Sequence, residues 1–147
     1  MTQHDDTPIA ATLYHAEDYR GTAVSVTPDR GGEGDVAVIY SLARLGLLRL
    51  GSLRAPPGTE DDSRHPFHQH IGWITHVTVW PSRPQNLLLA PEELGTTWQQ
   101  YSADTSDLGA WSARVRYVRV WRQRGRAAAV TAYVAPNAPS GPLRFVE

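Results

Sequence analysis

The chain has 147 residues, enough for one domain with its own hydrophobic core, and no run in it is long and apolar enough to cross a membrane as a helix. All 14 basic residues are Arg, and against 15 Asp and Glu they leave a net charge of −1, which excludes a bulk field pulling on nucleic acid or anionic lipid. Cysteine is absent, which excludes disulfides and thiolate metal sites. Five Trp and six Tyr against two Phe, with 12 Gly and 11 Pro, favour a β-rich core joined by many turns over long helices. The start, MTQHDDTPIA, has neither a basic n-region nor an apolar h-region, so a cytoplasmic setting is expected.

Residues 1–8 read as a flexible lead, and Ile9–Tyr14 begins a strand. A bend with an aromatic at each shoulder, Tyr14 and Tyr19, leads through Gly21 into a second strand, Thr22–Thr27. DRGGEGD (29–35) is a turn, and VAVIY (36–40) a strand. Ser41–Leu50 has the Leu spacing of an amphipathic helix, but Gly46 and Gly51 argue for a loop with a short helical turn before a strand at Leu50–Ala55. Thr59–Gln69 is a polar, His-rich insertion, and Ile71–Trp80 alternates as a strand. Pro81–Leu94 is a second insertion, followed by strands at Thr96–Ala103, Val115–Arg122 and Ala127–Val134 and an extended Pro-rich tail over 135–147. Eight or so short strands without a visible boundary predict one all-β, antiparallel Greek-key sandwich over 9–134.

The segment TLYHAEDYRG (12–21) resembles the βγ-crystallin signature, aromatic-x4-aromatic-x-Gly, with Tyr14, Tyr19 and Gly21 at its spacing. The glycine there takes a backbone conformation that other residues resist, while the rings stack across a folded hairpin. LGSLRAPPG (50–58) looks like the close of a first motif spanning about 10–55, VTVW (77–80) like the opening strand of a second, and residues 95–121 like its remainder. The second motif, about 56–121, lacks its own aromatic-x4-aromatic-x-Gly, and 127–134 is an extra strand beyond the pair.

Family members that bind calcium do so with Asn/Asp-Asn/Asp-x-x-Ser/Thr-Ser ahead of each closing strand, hard oxygen ligands suited to that ion. Here the first position reads Leu47-Leu48-Arg49-Leu50-Gly51-Ser52 and the second Ser112-Ala113-Arg114-Val115-Arg116-Tyr117. The acidic or amide pair is missing from both, and Arg116 brings a cation to the second. The resemblance thus implies the fold without calcium binding and without a resident cofactor.

Three constellations stand beside that reading. His65, His68, His70 and His76 follow Glu60, Asp61 and Asp62; on an extended segment His68, His70 and His76 share a face and would suit zinc or another divalent metal, or else form a solvated loop. Arg114, Arg116, Arg119, Arg122, Arg124 and Arg126 form a basic run with Tyr117 and Trp121 interleaved and no acid between Asp107 and Glu147. In a neutral chain this points to an acidic protein surface more than to nucleic acid. Leu45, Leu47, Leu48, Leu87 and Leu88 would contact another chain, or be buried by the insertions.

The expectation is a non-catalytic structural or interaction module in a larger assembly, self-associating or bound to a protein partner, with no membrane contact. The alternatives are a small enzyme or metal-binding protein working through 65–76, and a secreted inhibitor or toxin of the same fold.

Overall fold

Alternation in Ala11–Ala16 (β1) turns Ala11 and Leu13 inward, both fully buried, and leaves Thr12 and Tyr14 on the other face. The computed structural model describes residues 9–29, 36–56, 59–60, 71–84, 98–126 and 142–147, with backbone alone at 59–60, 71–73 and 124–126. β1 pairs antiparallel with Arg20–Val26 (β2) on one side and with Ser52–Arg54 (β4) on the other. The second sheet is built on Ile71–Trp80 (β6), which runs antiparallel to Tyr117–Arg126 (β8) along its whole length, from Ile71↔Arg126 to Trp80↔Tyr117. The other edge of β6 carries Thr59–Glu60 (β5) and Gln99–Tyr101 (β7). Ala37–Ser41 (β3) joins β8.

Read as two motifs, each chain half has its first strand between its second and fourth: β2-β1-β4 and β7-β6-β8. That is a Greek key whose third strand has left its own sheet. The exchange is reciprocal. β3 of the first motif pairs with β8, the fourth strand of the second, and Thr105 of the second bridges Leu53 in β4. Backbone bonds repeat the symmetry: Gly51 N–H donates to Tyr14 O (2.8 Å) as Arg116 N–H does to Trp80 O (2.9 Å). Likewise, Leu108 N–H donates to Gly51 O as Leu42 N–H does to Arg116 O. Trp80 therefore occupies the place of Tyr14, as the sequence reading of VTVW as an opening strand implies.

The hairpin between β1 and β2 has Asp18 (φ 56°), Tyr19 (φ 59°) and Gly21 (φ 81°) in the left-handed region. Two non-glycine residues stay there because Ser52 Oγ ties the hairpin down, accepting from Tyr19 N–H (2.9 Å) and donating to Ala16 O (2.6 Å). Tyr14 and Tyr19 meet edge to face at 5.7 Å. After β3, Leu42–Gly46 makes one helical turn that ends with Leu47 N–H on Leu42 O, Gly46 N–H on Ala43 O and Gly46 at φ 77°. This is a Schellman stop, with Leu42 and Leu47 both buried beneath it.

Two apolar clusters form among the described residues. The one between the sheets takes Ala11, Leu13, Val26 and Leu53 from the first sheet and Val77, Val79, Val118 and Val120 from the second. The other, on the far face of the second sheet, gathers Ala37, Ile39, Trp80 and Trp98, with Tyr117, Leu143 and Phe145 packed against it. Those last residues come from Leu143–Val146 (β9), which pairs parallel with β3 at the sheet edge. The segment expected as an extended tail thus contributes a strand. The strand expected over 127–134 lies outside the described residues.

Candidate functional site

One end of the sandwich is formed by the loops that precede β4 and β8, residues 42–51 and 108–116. Arg49 joins them, donating from Nε (3.1 Å) and Nη2 (2.7 Å) to Ser112 Oγ, itself buried. Arg116 turns its guanidinium back onto its own loop and donates to Ala113 O (3.2 Å) and Val115 O (3.1 Å). Arg114 lies over the Trp111 ring at 4.4 Å. Asp107 Oδ1 accepts from Gly109 N–H at 2.7 Å, just ahead of the Gly109–Trp111 3-10 turn. At the crest stands Leu48, 89% exposed, with exposed Arg44 and Arg49 around it. The residues named as degenerate calcium positions do other work here. Gly51 and Ser52 lock the hairpin, Ser112 receives Arg49, and Tyr117 packs against Phe145, its phenol 3.2 Å from Glu147 Oε1.

The second site is the far face of β6 and β8. There His76, Thr78, Arg119 and Trp121 alternate with the valines of the inter-sheet core, and all four are buried. Arg119, 1% exposed, forms a two-pronged pair with Asp29: Nη2 to Oδ1 at 2.7 Å and Nε to Oδ2 at 2.8 Å. Asp29 Oδ2 also accepts from Val38 N–H (3.1 Å), and its backbone bridges Val120 and Arg122. His76 Nε2 lies 3.0 Å from Gln123 Oε1, which can only accept. Nε2 therefore carries the proton and Nδ1 accepts from the Ser102 hydroxyl at 2.6 Å. Burial above all holds the imidazole pKa below its usual value; the Gln123 bond opposes this and the Arg119 charge adds to it. Trp121 Nε1–H donates to Thr78 Oγ1 (2.9 Å), which donates on to Gln100 Oε1 (3.0 Å).

Three sequence-based expectations change. Arg119 does not sit on an outward basic face; the alternation of β8 turns it onto the same buried side as Trp121, against Asp29. Leu47 is 3% exposed beneath the Schellman turn and offers no contact surface, whereas its neighbour Leu48 does. His76 is an interior residue, fully buried, with both ring nitrogens engaged by Ser102 and Gln123. His65, His68, His70, Leu87 and Leu88 lie outside the described residues, as does the side chain of Arg124. Leu45 and Arg122 are half-buried, and Arg114 and Arg116 exposed. Sequence reasoning missed Asp29, Ser102 and Gln123. Asp29 reads as a turn residue, and only tertiary structure brings it to Arg119, 90 positions away.

No family model matches the chain, and no curated protein matches it. Solved structures similar to it include the N-terminal domain of Protein S, at 18% identity and a TM-score of 0.47, covering 76% of this chain and 93% of that one. A βγ-crystallin domain from Clostridium beijerinckii matches at 19% identity and 0.48, over 76% and 97%. One from Flavobacterium johnsoniae matches at 21% and 0.47, over 75% and 91%. The strand order, the reciprocal exchange between the two motifs and the hairpin tied by Ser52 make this chain a two-motif Greek-key β-sandwich.

Proposed function

We propose that the chain is a non-catalytic protein-interaction module that docks an acidic protein surface through the loop end around Leu48, without calcium. The observation that carries this reading is the 89% exposure of Leu48 beside Arg44 and Arg49, with the exposed Arg114 and Arg116 on the loop that Arg49 grips. An exposed apolar side chain on a loop that also carries exposed arginines suits an acidic partner surface, Arg being enriched at interfaces. Support for a calcium-independent site comes from the loops themselves. Neither 42–51 nor 108–116 contains an acid, and guanidinium groups already hold Ser112 Oγ, Ala113 O and Val115 O.

The test is affinity capture from nuclease-treated lysate, at low and high salt, with wild type and with Leu48→Asp and Arg116→Glu. The reading expects an acidic protein retained by the wild type, weakened by salt and lost in both variants. Equal capture by all three proteins would sink it. Isothermal titration with calcium should give no binding heat at millimolar ion; a saturable isotherm would remove the calcium-free part.

A further inference from the structure

Strand β2 has a partner on one side only among the described residues: β1, in register from Ala11↔Val26 to Tyr14↔Ala23. The opposite edge of the same sheet, β4, is bridged by Thr105. Five of the seven β2 residues, Arg20–Ala23 and Ser25, are exposed. Proteins usually blunt such an edge with charge, proline or a bulge. Gly21–Val26 carries no charge and no proline, and the register shift in this pair lies at the turn end, between Tyr14 and Ala16.

The inward face of β2 is incomplete as well. Val26 and Val24 lie opposite Ala11 and Leu13 and point into the inter-sheet core, yet Val24 is only half-buried. A strand added alongside would cover the remainder of Val24 and take up the backbone donors and acceptors on the side away from β1, which no described residue pairs. The sequence of β2 fits a copy of itself. Antiparallel pairing about a dyad at Ala23 sets Arg20 opposite Val26, Gly21 opposite Ser25, Thr22 opposite Val24 and Ala23 opposite its copy. No like charges meet, and Val24 gains a cross-strand β-branched neighbour, Thr22, on the core side. With a net charge of −1, the two molecules approach without strong repulsion.

We propose that β2 is a homodimer interface, two copies joining their three-stranded sheets into one six-stranded sheet about a two-fold axis at Ala23. This surface is separate from the arginine-lined loop end, so either assignment can fail without the other. The experiment uses the full chain by light scattering after gel filtration and by native mass spectrometry, over about 1 to 200 µM. Wild type is compared with Ala23→Lys, Ala23→Glu and an equimolar mixture of the two. Ala23 is exposed, so each variant should keep the wild-type circular dichroism and melting temperature. The proposal expects a wild-type dimer, weakened by roughly tenfold or more in each single variant by like charges at the dyad, and restored in the mixture as a Lys–Glu heterodimer. A wild type that stays monomeric at the highest concentration overturns it, as do variants that dimerise like the wild type. Leu48→Asp should leave the dimer intact; loss of the dimer in that variant would move self-association to the loop end instead.

Discussion

Asp29 and Arg119 are the most exacting contact in the molecule, because neither can leave water without the other. Two short charge-assisted bonds and the Val38 amide satisfy the carboxylate at a depth where only 1% of the Arg119 side chain and 7% of the Asp29 side chain are exposed. Such a pair adds little over a well-packed apolar pair, but removing one partner strands the other charge and costs about 3–5 kcal/mol. Asp29→Asn is therefore expected to lower stability by that amount in a urea titration. Arg119→Lys should fare nearly as badly, because a point cation cannot span both oxygens. A loss within about 1 kcal/mol for both variants would mean that the pair is not closed in solution. His76 imposes a pH dependence on the same face. Its folded pKa lies below the unfolded value of 6.5. Above that value both states are neutral and the residue adds no slope. Below it the unfolded chain binds a proton that the folded chain refuses, so stability falls until the pH passes below the folded pKa. Urea midpoints measured from about pH 7 down to 5 should decline in wild type, and His76→Gln should flatten part of that decline. An unchanged slope in the variant would refute it.

Among the elements, the β1–β2 hairpin was the most legible in advance, since Tyr14, Tyr19 and Gly21 are local and their spacing states the fold of the turn. Its fastening was not. Ser52 lies 33 positions from Tyr19 in a segment read as a failed ligand loop, and its hydroxyl serves the hairpin instead. Gly51 beside it is required for a different reason from Gly21. A Cβ there would lie 2.4 Å from the carbonyl carbon of Ala16 and 2.7 Å from its Cα and oxygen, all backbone. Gly51→Ala is thus expected to force β4 away from the hairpin and destabilise by roughly 1–3 kcal/mol or more, whereas Gly46→Ala meets no atom and carries only the strain of its positive φ. Amide exchange at Tyr19, whose N–H is held by Ser52 Oγ, reports the difference: it should accelerate strongly in Gly51→Ala and little in Gly46→Ala. The same limit governed IGWITHVTVW. Its period of two predicts the strand, and the structure turns Val77 and Val79 into the inter-sheet core and buries His76 and Thr78 on the far face. Periodicity identifies two faces; it does not say that the polar one is also covered, because the residues that satisfy His76, Thr78 and Arg119 (Ser102, Gln123, Gln100, Asp29) are distant in sequence.

At the scale of the whole molecule, the two motifs are bound by exchange, the first lending β3 to the second sheet and the second bridging β4 through Thr105, so neither half is complete alone. The C-terminal strand is different: it is an addition to a finished pair. Among the described residues β9 pairs with β3 alone, begins with Ala37 N–H on Pro142 O (3.0 Å), and is clamped from outside by Arg83. That guanidinium bonds Glu147 at 2.8 Å and covers the Phe145 ring at 3.8 Å. The inter-sheet cluster contains none of these residues, whereas the outer cluster of Ala37, Ile39, Trp80 and Trp98 leans on Leu143 and Phe145. Deleting 142–147 should therefore leave the two-motif sandwich folded while stripping one side from the outer cluster. The loss expected from Leu143 and Phe145, the half-buried side chains that pack on that cluster, and from their strand is about 2–4 kcal/mol. It should be read as a lower urea midpoint, with far-ultraviolet dichroism nearly kept and the near-ultraviolet signal of the buried tryptophans changed. Uncovering the edge of β3 should also raise self-association, since a bare parallel-competent strand flanked by Ile39 and Trp80 is a ready template for another chain. Arg83→Ala alone should reproduce a fraction of the stability loss without the association, because β9 would remain in place. Unfolding of the truncated chain would show instead that β9 is integral to the sandwich, and an unchanged midpoint would show that it does not dock in solution.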